Sequence, residues 1–322
     1  MSAREPARRA GGLLRRNWIW LLAASGLAAL VVVVNPVRLG HVFSRVDRGV
    51  ILLMIPTTFA IYIVRGVGWW FTLRRIGIKI GIVKAVVVVL AAKPMVFLPA
   101  GDLGRVAVLE VAGVRGLDAG EVAATIAFQE MAFLALMGLP LVPALVVEPQ
   151  LGPLVAFLVI LLGAILLVLV WERAYRRAVA AIERIPFLRR FDRELQHMRP
   201  AFLRLFYPRT MGGVAVFDAL GVALTFLLFE LALHAVGVRN VGLLQATFIY
   251  AVAYLVSGLA MTPVGLGAYE GIITGFMVLQ GVAPSEGAAA ALLYRGFYDV
   301  FIALVGVGFL LALRRSVAWP GA

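Results

Sequence analysis

The chain has 322 residues, 62% of them hydrophobic, with a mean hydropathy of +0.98; a soluble domain is roughly 45–50% apolar, so this composition excludes an ordinary soluble protein. It has no cysteine, which excludes disulfides, thiolate nucleophiles and Cys-based metal sites, and His41, His197 and His234 show no ligand spacing. The formal charge of +13 is concentrated between apolar runs, so membrane topology explains it better than a nucleic-acid partner.

A membrane-crossing helix takes about 20 apolar residues. Trp18–Val34, preceded by Arg4, Arg8, Arg9, Arg15 and Arg16, predicts a first span; no A-x-A-like site follows, so it reads as uncleaved rather than as a signal peptide. Val50–Trp70 predicts a second span, with Arg65 near its end. Ala85–Leu98 then enters the membrane, breaks at Pro99–Gly101 and continues as Asp102–Val111. Gly120–Val147 and Leu151–Trp171 form a hairpin through Glu148-Pro149-Gln150, and the basic segment Glu172–Arg209 follows. Gly212–Val236, the interrupted pair Leu244–Met261 and Leu266–Leu279, and Gly287–Leu313 complete the pattern.

Charge decides how these segments thread. If Ala85–Leu98 were a simple span, the arginine-rich stretch 172–209 would face outward, against the positive-inside rule. If the broken pair leaves on the side it entered, the strongly basic loops all become cytoplasmic, and only Arg38, Arg45, Arg48 and Arg239 lie outside. The expected fold class is therefore an all-α polytopic membrane protein of about eight segments, with two broken, re-entrant hairpins in an inverted repeat. It forms one integral membrane domain, 1–322, with repeat units 18–147 and 151–313. The segment 172–209 is cytoplasmic, basic and amphipathic, and both termini are cytoplasmic in a multi-pass protein of the plasma membrane.

In the basic segment, Leu188, Phe191, Leu195, Met198 and Phe202 recur at steps of three or four, one face of a helix that Pro200 is expected to break. Such a helix suits an anionic inner leaflet, although a topology-setting loop is the better explanation of the charge. Trp18, Trp20, Trp69, Trp70 and Trp171 fall at span ends, as interfacial belts do.

Ionisable groups cost at least about 2.5–3.5 kcal/mol at the centre of a membrane helix. Around the first break stand Lys93, Asp102, Arg105 and Glu110. Asp102 and Arg105 share a helical face, so they neutralise each other or serve a substrate. Arg105 sits in the first turn after the Pro99-x-Gly101 break, where helix N–H groups favour an anion. Lys93 either snorkels to the interface or pairs with Glu130, a lone mid-span carboxylate among Phe128, Met131 and Phe133. At the second break Glu270 follows Pro263-x-Gly265-x-Gly267, a carboxylate the helix N-terminus favours. Arg295 and Asp299, four apart in the last span, are expected to pair. Asp218, Glu230 and His234 lie on the sixth segment, the last two on one face.

The stretch Pro263-Val264-Gly265-Leu266-Gly267-Ala268-Tyr269-Glu270 resembles the P-x-G-x-G-x-x-E element of the lysylphosphatidylglycerol synthase transmembrane (flippase) family. Gly101-Asp102-Leu103-Gly104-Arg105 is similar to that family's G-[E/D]-x-x-R element, and Arg295 also fits. Gln129-Glu130 stands where the family has an acidic residue usually followed by Arg; Met131 takes that place here. The resemblance spans essentially the whole chain and implies movement of a lipid between leaflets. Bifunctional members carry a soluble aminoacyltransferase domain that this chain lacks, so an enzyme is not expected.

The resulting expectation is a flippase or scramblase for a phosphate-bearing lipid, with the hairpin tips meeting near the midplane. Arg105, with Lys93 and Arg295, holds the phosphate; Glu130 and Glu270 balance charge, and Asp102 and Asp299 belong to the same substrate-binding set. Pro99, Gly101, Pro263, Gly265 and Gly267 shape the hairpins. No cofactor or metal is expected. The expected partners are membrane lipids with anionic headgroups, with a second copy of the chain and a lipid-modifying enzyme left open. The alternatives are a proton- or ion-coupled transporter of a small soluble substrate, and a non-catalytic partner of a glycosyltransferase or lipid synthase.

Overall fold

In the computed structural model, which describes residues 36–97, 101–114, 117–147, 149, 152–184, 192–259 and 265–318, every regular element is helical and no strand occurs among the described residues. The expected first span Trp18–Val34, the break residues Pro99 and Pro263, and the stripe positions Leu188 and Phe191 lie outside them. Five stretches among the described residues are long and apolar enough to cross a bilayer: Arg48–Arg75, Ala119–Pro143, Gly152–Val170, Pro208–Ala235 and Pro284–Arg315. Leu243–Gly258 and Ala268–Leu279 are shorter apolar helices. The protein is an all-α polytopic membrane protein.

The described residues group into two compact units, one within 1–53, 97–99 and 229–295, the other within 54–96, 100–228 and 296–322. In the first, α1 (Pro36–Ser44) is followed by the start of α2 (Arg48–Arg75). Asp47 starts α2 by accepting the N–H groups of Gly49 (2.8 Å) and Val50 (3.3 Å), the role of an N-cap carboxylate.

The second unit holds the first broken hairpin. Helix α3 (Ile82–Ala92) tightens into a 3₁₀ turn at Lys93–Phe97, a second turn covers Gly101–Leu103, and α4 (Gly104–Val111) resumes the helix. Gly101 is required here, because a Cβ on it would lie 2.0 Å from the Met95 carbonyl oxygen. Unwound backbone survives at membrane depth only where protein covers it. The helix Ile302–Ala318 packs on α3; a Cβ on its Gly306 would lie 2.3 Å from Leu90 O and 2.9 Å from Pro94 Cδ.

Next come α5 (Ala119–Met137) and α6 (Leu141–Val147). The single helix expected over Gly120–Val147 is interrupted at Gly138-Leu139-Pro140, where Pro140 has no N–H for the ladder. Beyond α7 (Gly152–Val170), the basic segment forms α8 (Glu172–Glu183) and α9 (Asp192–Arg204). Pro200 does not break α9; it stays inside the helix. Helix α9 packs against α5. Phe202 is fully buried against α5, with its ring 5.6 Å from that of Phe128. Arg204 reaches Glu121 (3.1 Å), His197 meets Asp118, and Arg199 Nη2 donates to Val170 O (2.8 Å) at the end of α7.

Helix α10 (Pro208–Ala235) follows, contributing to both units. In the first unit, α11 (Leu243–Leu259) and α13 (Pro284–Arg295) pack on α12 (Ala268–Leu279), and Ala288 of α13 meets Leu39 of α1. After Arg295 the chain winds as a π-helix over Gly296–Phe301 before α14 (Ile302–Ala318).

Candidate functional site

In the second unit, α2, α4 and α5 converge on Glu130. Helix α2 runs on to Arg75, which puts Arg65 ten residues, about 15 Å of helix, inside its end rather than near it. Arg65 pairs with Glu130 Oε1, and the Arg105 Nη2 of α4 approaches the same oxygen at 3.1 Å. Arg105 Nη2 also lies 3.4 Å from Asp102 Oδ1, so the expected Asp102–Arg105 pair forms. Its Nη1 donates to Gln129 Oε1 at 3.1 Å.

The burial is uneven. The Arg105 side chain is 4% exposed, Glu130 is 23% exposed and Asp102 is 48% exposed. The cations are therefore held by protein while the carboxylates reach toward open space. Arg65 also lies 4.4 Å over the Phe133 ring, and Arg105 lies 5.6 Å over Trp69. Trp69 is not a belt residue, as its position suggested: it is fully buried and donates to Thr125 Oγ1 at 2.9 Å.

Lys93 does not pair with Glu130. Its Nζ is 3.5 Å from Asp299 Oδ1 and lies between two tyrosine rings, 5.0 Å from Tyr62 and 5.1 Å from Tyr298. Tyr62 donates to the Tyr298 carbonyl (2.7 Å), and Arg65 Nη1 donates to the Tyr298 hydroxyl (3.3 Å). The expected Arg295–Asp299 pair spans the start of the π-helix at Gly296, in which Asp299 is buried.

The first unit holds Glu270 and Arg295. Gly265 and Gly267 have φ of +66° and +83°, and a Cβ on Gly265 would meet Ser257 Cβ at 2.8 Å. That turn aims the Gly267 N–H at Glu270 Oε2 (2.7 Å), half of a capping box. The other oxygen of Glu270 lies 3.0 Å from Arg295 Nε, and the Arg295 guanidinium sits 4.8 Å over Tyr269. Glu270 is fully buried. Nearby, the Tyr250 and Tyr294 hydroxyls are 2.6 Å apart.

Of the expected substrate-binding set, Lys93, Asp102, Arg105, Glu130 and Asp299 thus lie in one unit, and Glu270 and Arg295 lie in the other. Arg65, Gln129 and Asp218 were not in that set, yet all three are buried in the Glu130 cluster. The signal for Arg65 was an arginine flanked by apolar residues on both sides. Glu230 pairs along its own helix with His234 (3.3 Å). No group of three His, Cys, Asp or Glu suited to a metal occurs among the described residues.

A family model described as the lysylphosphatidylglycerol synthase TM region matches residues 17–306. No curated protein matches the chain.

Proposed function

Since the chain belongs to the lysylphosphatidylglycerol synthase transmembrane family, whose members are membrane proteins associated with lipid handling, we propose that it moves a phosphate-bearing lipid between leaflets. The observation that carries this reading is the asymmetry at Arg105: a buried, fixed guanidinium bound by two carboxylates that are partly exposed. A lipid phosphate offers a guanidinium the same paired oxygens that a carboxylate does. It exchanges with Asp102 and Glu130 while Arg105 stays in place. The start of α4, beside the break, adds backbone N–H groups favouring an anion.

In this reading Glu130 returns to Arg105 when the lipid leaves, so the cation is never bare. Lys93, Asp299, Glu270 and Arg295 complete the polar path through each unit. The acyl tails stay in the bilayer, because extracting them costs about 0.8 kcal/mol per CH₂. In this reading the chain acts by transport. It sits in the plasma membrane with both termini cytoplasmic, where anionic lipids attract the arginines of α8 and α9.

Proteoliposomes carrying headgroup-labelled phosphatidylglycerol, its lysyl ester, phosphatidylethanolamine or a polyprenyl phosphate test this. The native protein moves one of these selectively, Arg105→Ala loses that movement, and Arg105→Lys retains part of it. Equal movement in native and Arg105→Ala protein removes Arg105 from the mechanism. No movement of any lipid points instead to a soluble substrate or a scaffolding role.

A further inference from the structure

Asp218, on α10, is the one carboxylate of the Glu130 cluster that forms no ion pair among the described residues. It is fully buried. Its Oδ1 accepts a long bond from Gln129 Nε2 (3.4 Å), and its Oδ2 has no hydrogen-bond partner among the described residues. The charged groups that face it are Arg65, Glu130 and Arg105, from α2, α5 and α4. Arg65 and Arg105 each direct Nη2 at Glu130, and neither forms an ion pair with Asp218 among the described residues.

Charge balance points the same way. In this cluster Arg65, Arg105 and Lys93 stand against Asp102, Glu130, Asp218 and Asp299, so a single proton makes it neutral. The carboxyl with the fewest donors and the least water is where that proton costs least. A buried oxygen without a partner costs free energy when neutral and more when charged.

Gln129 links this carboxyl to the lipid site. Its Oε1 accepts from Arg105 Nη1 (3.1 Å), while its Nε2 donates to Arg65 O (2.9 Å) and to Asp218. The amide cannot be turned round without setting N–H against guanidinium. Its seat is tight, since a Cβ on Gly68 would lie 3.2 Å from Nε2. Any change of partner at Arg105 is therefore felt at Asp218 through one amide.

We propose that Asp218 is a proton-binding site, loading and unloading one proton as Arg105 changes partner, so that lipid movement is coupled to proton movement. The coupling rests on the lipid-transport reading; the proton site itself does not. The O–H bond forms at Oδ2 with a proton from bulk water and breaks to return it to bulk water, and no electrons change hands. Gln129 is the positioning residue.

Infrared difference spectroscopy on the full chain in lipid nanodiscs reads the proton directly. Near neutral pH the native protein shows a protonated-carboxyl C=O band that shifts when its aspartate carboxyls are isotope-labelled. Asp218→Asn removes the band, and Asp218→Glu moves it out of the labelled set. A native spectrum without such a band, or one that Asp218→Asn leaves intact, overturns the site. The labelled native protein reports the proton even where a variant fails to fold.

Proteoliposomes under an imposed pH gradient read the coupling. One proton per lipid shifts the steady-state leaflet ratio by up to about tenfold per pH unit, and Asp218→Asn abolishes that shift. Native movement that ignores the gradient overturns the coupling. If the band behaves as expected but no lipid moves, the transport reading fails and the proton site stands.

Discussion

Arg65 and Arg105, on different helices, direct their Nη2 atoms at one oxygen, Oε1 of Glu130. Two buried guanidiniums sharing a carboxylate hold each other in place only while the anion is there. The arrangement makes Glu130 both a structural pin for α2, α4 and α5 and the group a phosphate must displace.

Glu130→Gln leaves two buried cations with a neutral amide. Removing one partner of a buried ion pair costs about 3–5 kcal/mol, and the partial exposure of Glu130 puts this case at the lower end. The expected outcome is a clear fall in thermal midpoint in detergent. Added anionic lipid restores part of it by taking the place of the carboxylate. A midpoint unchanged from native would mean that the shared contact is not holding the helices.

Gly265→Ala tests the second break. It adds a left-handed backbone cost of about 1–2 kcal/mol to a clash with Ser257 Cβ at 2.8 Å. Gly77→Ala is the comparison: φ is +94° there, but nothing lies within 4 Å of the new Cβ. Gly265→Ala is therefore expected to lower the thermal midpoint more than Gly77→Ala. Adding Ser257→Gly recovers part of the difference, because the backbone oxygen of residue 257 still lies 3.1 Å from the new Cβ.

The junction of α5 and α9 predicts an acid-side loss of stability. Burial works against the Asp118 charge, but hydrogen bonds from His197 and from the N–H groups of Glu121 and Gly120 outweigh it and hold the carboxyl below its usual range. A carboxyl depressed on folding contributes stability above its unfolded value, about 3.9. That contribution drains away as pH falls through the folded value. Asp118→Asn keeps a capping side chain and loses this dependence, whereas Asp118→Ala also loses about 1 kcal/mol of N-cap. Solvent screening keeps the electrostatic part small. Unfolding curves from pH 7 down to about 3 for the three proteins check the order.

Lys93 and Asp299 form a further ion pair in the second unit's polar interior, 3.5 Å apart, with the ammonium between two tyrosines. A double-mutant cycle with Lys93→Met and Asp299→Asn is expected to give a coupling of about 1–3 kcal/mol. A value near zero would show that the tyrosine rings, not the carboxylate, seat the ammonium.

Hydropathy and punctuation are local properties, and what depends on them was legible. The long apolar runs gave the polytopic class, and Gly101, Gly265 and Gly267 marked the two breaks because their backbone positions leave no room for a Cβ or require positive φ. Glu130 and Arg105 stood out because a charge among apolar neighbours is conspicuous in one dimension. Their partners were not legible. Arg65 meets Glu130 because α2 extends past its apolar core, Lys93 meets Asp299 across more than two hundred residues, and Arg295 meets Glu270 from another helix. The apolar face of α9 pointed to lipid until α5 took it. Composition and periodicity set which residues leave water; only the packing of helices far apart in the chain decides which buried charge neutralises which, since that choice rests on distances of a few ångströms that no local pattern encodes.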